Sequence, residues 1–229
     1  IMTKKIIKTI LVILLFFTLI IFYLSFFGIN TKVFNDQIKI KLSAINTGIK
    51  FNINEVNYRL NPLNFTINII TENIQIISNN NKLDLESIKT NVSVKSLIYE
   101  EFSIDELKIS TREIKLNDLL LFAKIIHDIP HLYILDTIIK DGTMVADISI
   151  NFDKEGKIKD NFKMEGFIKE TNLNFLNKFK VKDLNLAFDI VKNKFLLKKI
   201  NAKFNGINFK SPQIQIKEKK DLYLVDGIL

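Results

Sequence analysis

Cysteine is absent from this 229-residue chain, which excludes disulfides and thiolate metal sites and fits a reducing or an oxidising compartment equally. Arginine is nearly absent, with Arg59 and Arg112 the only ones among 33 basic residues. Nucleic-acid readout leans on arginine forks gathered along one face, whereas the lysines here are scattered. The net charge of +8 therefore reads as solvated strand faces, and no nucleic-acid partner is assigned. Histidine is limited to His127 and His131. They stand four apart, the spacing by which a helix presents two metal ligands, but Pro130 interrupts the helix between them and leaves a helix-end pair. Glycine and proline are few, and no GxGxxG, P-loop or EF-hand spacing occurs. The carboxylates of Glu100 and Glu101, or of Asp105 and Glu106, are sequence neighbours and point to opposite faces of a strand, which makes them poor partners for acid–base work. No catalytic, metal-binding or cofactor-binding residue is assigned, and the chain reads as a protein that is not an enzyme.

What the chain has in quantity is apolar side chains, 47% of all residues, with 19 Phe among the aromatics and no Trp. They fall in two patterns. The first is one long, predominantly apolar segment from Ile6 to Phe27, whose ~22 residues at ~1.5 Å each reach ~33 Å, enough for a hydrocarbon core of ~30 Å. Lys4, Lys5 and Lys8 form a basic entry, but Tyr23, Phe26 and Phe27 are large where a signal peptidase requires small residues. Residues 1–28 thus read as a cytoplasmic tail and an uncleaved transmembrane signal anchor. Lys32, Lys39 and Lys41 balance the three N-terminal lysines, so charge alone does not orient the helix. A short basic tail ahead of a first apolar segment stays in the cytosol while a long C-terminal domain is translocated. That places residues 29–229 in a bacterial periplasm.

The second pattern is period-2 alternation, the mark of half-buried strands. Ile38, Ile40 and Leu42 alternate with polar residues, as do Phe65, Ile67 and Ile69. Later come Leu83 and Leu85, then Ile148, Ile150 and Phe152, then Leu184, Leu186 and Phe188, then Ile200, Ala202 and Phe204, and finally Ile214 and Ile216. Turn chemistry separates the runs at Asn79 to Asn81, Asp141-Gly142, Asp153 to Gly156, Asn193, Asn205-Gly206 and Asp226-Gly227. Short connections imply antiparallel neighbours. One segment departs from the pattern: Leu116 to Ile129 spaces Leu116, Leu119, Leu120 and Ala123 as on a helix, and Pro130 ends it. Many strands each offer an apolar row while one soluble helix is available to cover them. At roughly 25 cal/mol per Å², leaving such a face to water is costly. Either the sheet packs on itself as a sandwich or barrel, or it stays open as a trough filled by lipid chains.

From Leu42 to Ser110 the chain resembles the N-terminal module of the AsmA-like family (the AsmA/YhdP/TamB superfamily). The corresponding parts are Ala44 to Phe51 (AINTGIKF), Val56 to Ile69 (VNYRLNPLNFTINI) with Pro62, Ile74 to Ile77 before the Asn79 to Asn81 turn, Leu83 to Leu97 (LDLESIKTNVSVKSL) and Phe102 to Ile109 (FSIDELKI). The match covers the anchor and roughly a third of the chain, in residue classes without an invariant motif. The resemblance implies a mainly β fold: a transmembrane helix followed by an elongated, curved antiparallel sheet forming an open groove, with one short helix. It further implies an inner-membrane protein whose periplasmic groove binds phospholipid acyl chains and contributes to phospholipid transport and outer-membrane integrity. Members that bridge the two membranes are much longer, so residues 29–229 are expected to be the N-terminal part of a longer chain.

The lipid-facing candidates are Ile38, Ile40, Leu42, Phe65, Ile67, Ile69, Ile148, Ile150, Phe152, Leu184, Leu186 and Phe188. Two other functions remain open. A lipopolysaccharide-export component also joins one anchor to a periplasmic β-jellyroll. A non-lipid assembly factor for outer-membrane proteins would use exposed strand edges to pair with other envelope proteins.

Overall fold

A computed structural model describes residues 2–32, 50–78, 81–95, 104–126, 129–153, 159, 161–176, 178–192, 194–219 and 222–228. Helix α1 (Met2–Phe26) is mostly apolar, and from Lys4 onward its side chains are exposed except Leu24 and Ser25, which are half-buried at its C-terminal end. The hydroxyls of Thr9, Thr18 and Ser25 donate back to the carbonyls of Lys5, Leu14 and Ile21 at 3.0, 2.9 and 2.7 Å. These polar groups are satisfied inside the helix, as a hydrocarbon environment demands. By length and composition Lys4–Phe26 suits a membrane span or a signal sequence. Gly28, at φ +69°, turns the chain out of the helix, where a Cβ would meet Tyr58 O and Arg59 Cγ.

Among the described residues, thirteen strands form one antiparallel sheet. They are β1 (Ile29–Thr31), β2 (Lys50–Asn52), β3 (Val56–Asn61), β4 (Thr66–Ser78), β5 (Asn81–Ser93), β6 (Ile104–Thr111), β7 (Ile114–Lys115), β8 (Ile139–Asn151), β9 (Lys163–Phe175), β10 (Phe179–Val191), β11 (Lys194–Phe204), β12 (Ile207–Lys219) and β13 (Leu222–Ile228). The order across the sheet is β1-β3-β4-β5-β6-β8-β9-β10-β11-β12-β13. Strand β2 extends the β3 edge against β4, and β7 extends the β6 edge against β8. The fold is thus mostly β, a single open antiparallel sheet behind an apolar N-terminal helix. Two helices lie between β7 and β8, where the sequence pattern predicted one: α2 (Leu116–Ile126) and α3 (Pro130–Ile138). Pro130 opens the second helix instead of merely ending the first, since a proline at the first helical position removes an N–H that has no partner anyway.

Directly paired residues share a face, so the register shows how the apolar rows line up. Ile88 pairs with Ile109, Ile109 with Ile148, Ile148 with Met164, and Met164 with Ile190. Ile190 pairs with Phe195, and Phe195 with Ile216. One apolar row crosses from β5 to β12.

The long strands change phase at one common level. Asn73 in β4, Gly142 in β8, Glu170 in β9, Asp183 in β10 and Lys199 in β11 all have positive φ. In each of these strands two successive residues then face the polar side, and the apolar spacing stretches from two to three. It runs from Thr71 to Ile74, from Ile168 to Thr171, from Val181 to Leu184 and from Leu197 to Ile200. In β12 the step falls from Ser211 to Ile214, and Pro212, which has no N–H to give to a ladder, sits opposite Lys199. Because neighbours slip together, pairing keeps the same offset on both sides: Ile168 faces Leu186 above the slip, and Leu173 faces Val181 below it. The result is a crease across the sheet, a row of β-bulges of the kind that bend and twist strands.

Side chains close the hydrogen bonds that the crease opens. On the apolar face, Thr71, Thr111, Thr171 and Ser211 are buried. Thr111 Oγ1 accepts from the Ala146 N–H at 2.8 Å, and the Thr171 hydroxyl donates to Lys169 O at 3.1 Å. On the other face, Asp141 Oδ1 accepts from the Asn172 N–H and Nδ2 at 3.1 and 2.7 Å, and Asn172 Oδ1 accepts from the Asp183 N–H at 3.2 Å. Asp141-Gly142, read in the sequence as a hairpin turn, therefore lies inside β8. Asp226-Gly227 likewise falls within β13. Asn205-Gly206 is a two-residue turn as expected.

Two buried clusters sit on the apolar face, and α2 spans both. Phe122 packs with Ile53, Val56, Ile74, Leu83, Leu85 and Ile114, while Leu116 packs with Met144, Ala146 and Phe188. Leu119 touches both groups.

Gly142 tests the crease. At φ +128° a side chain is strained, and a Cβ there would collide with Thr171 on the neighbouring strand. Gly142→Ala should destabilise the sheet by about 2 kcal/mol or more, measured by thermal unfolding of the strand circular-dichroism signal; an unchanged midpoint would show that the crease does not depend on this residue.

Candidate functional site

The apolar face divides into a covered part and an open part. Over β4, β5 and β8 it lies under α2. Beyond β9 no described element lies over it, and the strands frame an open hollow of about 480 Å³. Leu173, Val181, Leu184, Leu186, Leu197, Ile200, Ala202 and Phe204 form its floor, with Phe175, Ile207, Phe209 and Ile214 around them, and every lining residue but Asn208 is apolar. Its volume lies in the usual range for small-molecule pockets, about 300–1,000 Å³. At the hairpin end, the rings of Phe179 and Phe204 stack with centroids 6.0 Å apart and planes 16° from parallel.

Three ion pairs lie on the other face of the sheet. The ion pairs Lys108–Glu106, Lys163–Glu165 and Lys203–Asp183 all project there, at 3.2, 2.5 and 2.9 Å. The hydrogen bond to Glu165 and its negative charge hold the Lys163 ammonium above its ordinary pKa. One surface of the sheet thus carries these ion pairs, while the hollow on the other is lined almost wholly by apolar side chains.

Most of the lipid-facing candidates that are described share the apolar face. Ile67 and Ile69 stand opposite Val92 and Thr90; Ile148 and Ile150 stand opposite Ile109 and Leu107. Leu184, Leu186 and Phe188 pair with Thr171, Ile168 and Gly166. Their surroundings differ, however. Leu184 and Leu186 line the open hollow, Phe188 is buried in the second cluster, and Ile69 packs against the first. Phe152 follows the end of β8 and is half-buried. Phe65 is in the turn before β4, 67% exposed with φ +50°. Ile38, Ile40 and Leu42 lie outside the described residues. His131 is in the first turn of α3, while His127 lies outside the described residues.

The hollow's own residues in β11 and β12 were not among the candidates. The alternation of Ile200, Ala202 and Phe204 was visible, but the change of phase at Lys199 hid that they continue the row of Phe195 and Leu197. That three-residue step, repeated at Thr71, Ile168, Val181 and Ser211, is the signal that would have found them.

Beside the hollow, α3 has no buried residue. Lys124 of α2 holds it, with Nζ 2.8 Å from Asp136 Oδ2 and 5.4 Å from the centroid of the Tyr133 ring. With the family, relatives and structures of known proteins the outcome is uniform: no family model matches this chain, no curated protein is similar in sequence and no solved structure matches its fold.

The Lys124 contact predicts how α3 is tethered. Asp136→Ala should raise amide hydrogen exchange across Pro130–Ile138 about five- to tenfold and leave β9 unchanged; equal rates in the two proteins would mean that backbone packing alone holds α3.

Proposed function

We propose that this is a membrane-anchored lipid-binding protein whose sheet carries phospholipid acyl chains on its apolar face. The observation that carries the reading is the open hollow at Leu184 and Leu186, continuous with the buried core yet covered by no described element. Left in water, each fully exposed Leu or Phe forgoes about 1.5–3 kcal/mol of burial. Acyl chains laid along the face recover that energy, while head groups at the open side stay hydrated. No bond is made or broken.

The helix at Lys4–Phe26 supports the second half of the reading, a single-pass anchor in a bacterial inner membrane with a cytoplasmic N-terminus and a periplasmic sheet. The resemblance of residues 42–110 to AsmA-like proteins supports the third, a contribution to phospholipid transport toward the outer membrane and to envelope integrity. A single open sheet, rather than two stacked ones, weighs against a jellyroll lipopolysaccharide-export component.

A photoreactive amino acid at position 184 in the membrane-embedded protein tests this directly. The expected product on irradiation is a covalent adduct with the mass of a two-chain phospholipid, absent when the probe is at position 182 on the ionic face. Adducts only to envelope proteins would favour the assembly-factor reading, and a multi-chain glycolipid would favour lipopolysaccharide export. Leu184→Glu or Phe204→Glu should lower lipid occupancy about tenfold while the circular-dichroism spectrum stays that of a β protein; full occupancy would remove the hollow from the lipid path.

A further inference from the structure

We infer that the turn between β3 and β4 dips into the surface of the lipid bilayer, so that the sheet meets the membrane at two points, the anchor and this turn. The inference rests on the reading of α1 as a membrane span.

The turn presents Leu63 at 91% and Phe65 at 67% exposure. Fraying does not account for this, because the turn is fastened on both sides. The Asn64 N–H donates to Asn61 Oδ1 at 3.3 Å, and Phe65 O accepts from the Val94 N–H at 2.9 Å. Pro62 fixes its own φ. Phe65 is held at φ +50°, a conformation that bulky side chains rarely adopt. A well-anchored turn thus holds two large apolar side chains away from the protein.

Charge is missing where a water-facing turn would carry it. No charged residue occurs between Arg59 and Glu72, in a chain that is 25% charged. The β9–β10 turn makes the contrast: Leu176 is 88% exposed there too, but Lys178 and Lys180 follow it.

The topology puts the turn on the side of the anchor. Strand β1 leaves α1 and runs from Ile29, opposite Tyr58, to Thr31, opposite Val56. Its antiparallel partner β3 therefore runs back toward the helix, and Asn57 Nδ2 donates to Phe27 O at 3.4 Å. Beyond Tyr58, β3 continues to Asn61, about 10 Å along the strand, and the turn that holds Leu63 follows. At the end of α1, the Tyr23 and Phe27 rings stack at 5.4 Å, and Phe26 and Phe27 are exposed. Tyrosine side chains such as that of Tyr23 gather at membrane–water interfaces. Leu63 and Phe65 are exposed at the same end of the sheet as this apolar helix terminus, which is why a bilayer is the occupant.

The natural absence of cysteine makes site-specific labelling direct. Leu63→Cys, Leu176→Cys and Phe16→Cys variants of the full chain would each carry one environment-sensitive fluorophore and be reconstituted in phosphatidylglycerol–phosphatidylethanolamine vesicles. Iodide in the buffer and lipids brominated at defined acyl positions then serve as quenchers. The expected result at site 63 is quenching by shallowly brominated lipid, roughly 5–10 Å below the surface, with iodide quenching reduced severalfold relative to site 176. If site 63 behaves as site 176 while site 16 is quenched by deeply brominated lipid, the turn stays in water and the inference fails although the anchor stands. If site 16 also escapes lipid quenching, the anchor reading fails and takes the inference with it. Shielding of site 63 from iodide without any lipid quenching would assign the turn to a protein contact and would equally overturn a bilayer contact.

Discussion

Keeping one face apolar along strands thirteen residues long is a constraint that no single strand of this sheet can meet alone. A bulge in one strand would throw its side chains out of step with both neighbours. Here the neighbours slip together, so pairing is conserved on either side of the crease and the apolar row is unbroken. The cost is a line of left-handed backbone at Asn73, Gly142, Glu170, Asp183 and Lys199, of which only one is glycine. Such residues persist only where their surroundings hold them, and the hydrogen bonds among Asp141, Asn172 and Asp183, together with the buried hydroxyls of Thr111 and Thr171, do that.

The two faces of the sheet follow from this. Were the slip confined to some strands, lysines and carboxylates would appear beside Leu186 and Leu197, and the hollow would not form. With the slip shared, the ion pairs collect on one side and the hydrocarbon on the other. Helix α2 then needs to seal only the middle of the face, through Leu116, Leu119 and Phe122, and the stretch beyond β9 is covered by no described element.

Much of this was legible in the amino-acid order. Alternation at Ile67 and Ile69, at Ile148 and Ile150 and at Leu184 and Leu186 located strands and their common face, and the long apolar segment located α1. Three things were not. Asp141-Gly142 looks like a hairpin turn because a glycine that accepts positive φ suits a turn and a bulge equally. The crease hid because its apolar-face residues are Thr71, Thr171 and Ser211, which break a hydrophobic pattern although they are buried. Which part of the face is covered depends on where α2 lies, a matter of distant contacts with no local mark: Phe188 and Leu186 belong to one alternating run, yet Phe188 is core and Leu186 lines the hollow.

The crease also makes the sheet additive. Eleven strands lie side by side in the main order, which at about 4.8 Å per step spans roughly 48 Å. Every hairpin that carries the same paired slip can join its neighbour without altering register, face or polarity. Width in such a sheet is set by repetition rather than by closure: where a barrel of given strand number has one diameter, this design can be lengthened strand pair by strand pair, and the same apolar track grows across the molecule with each addition.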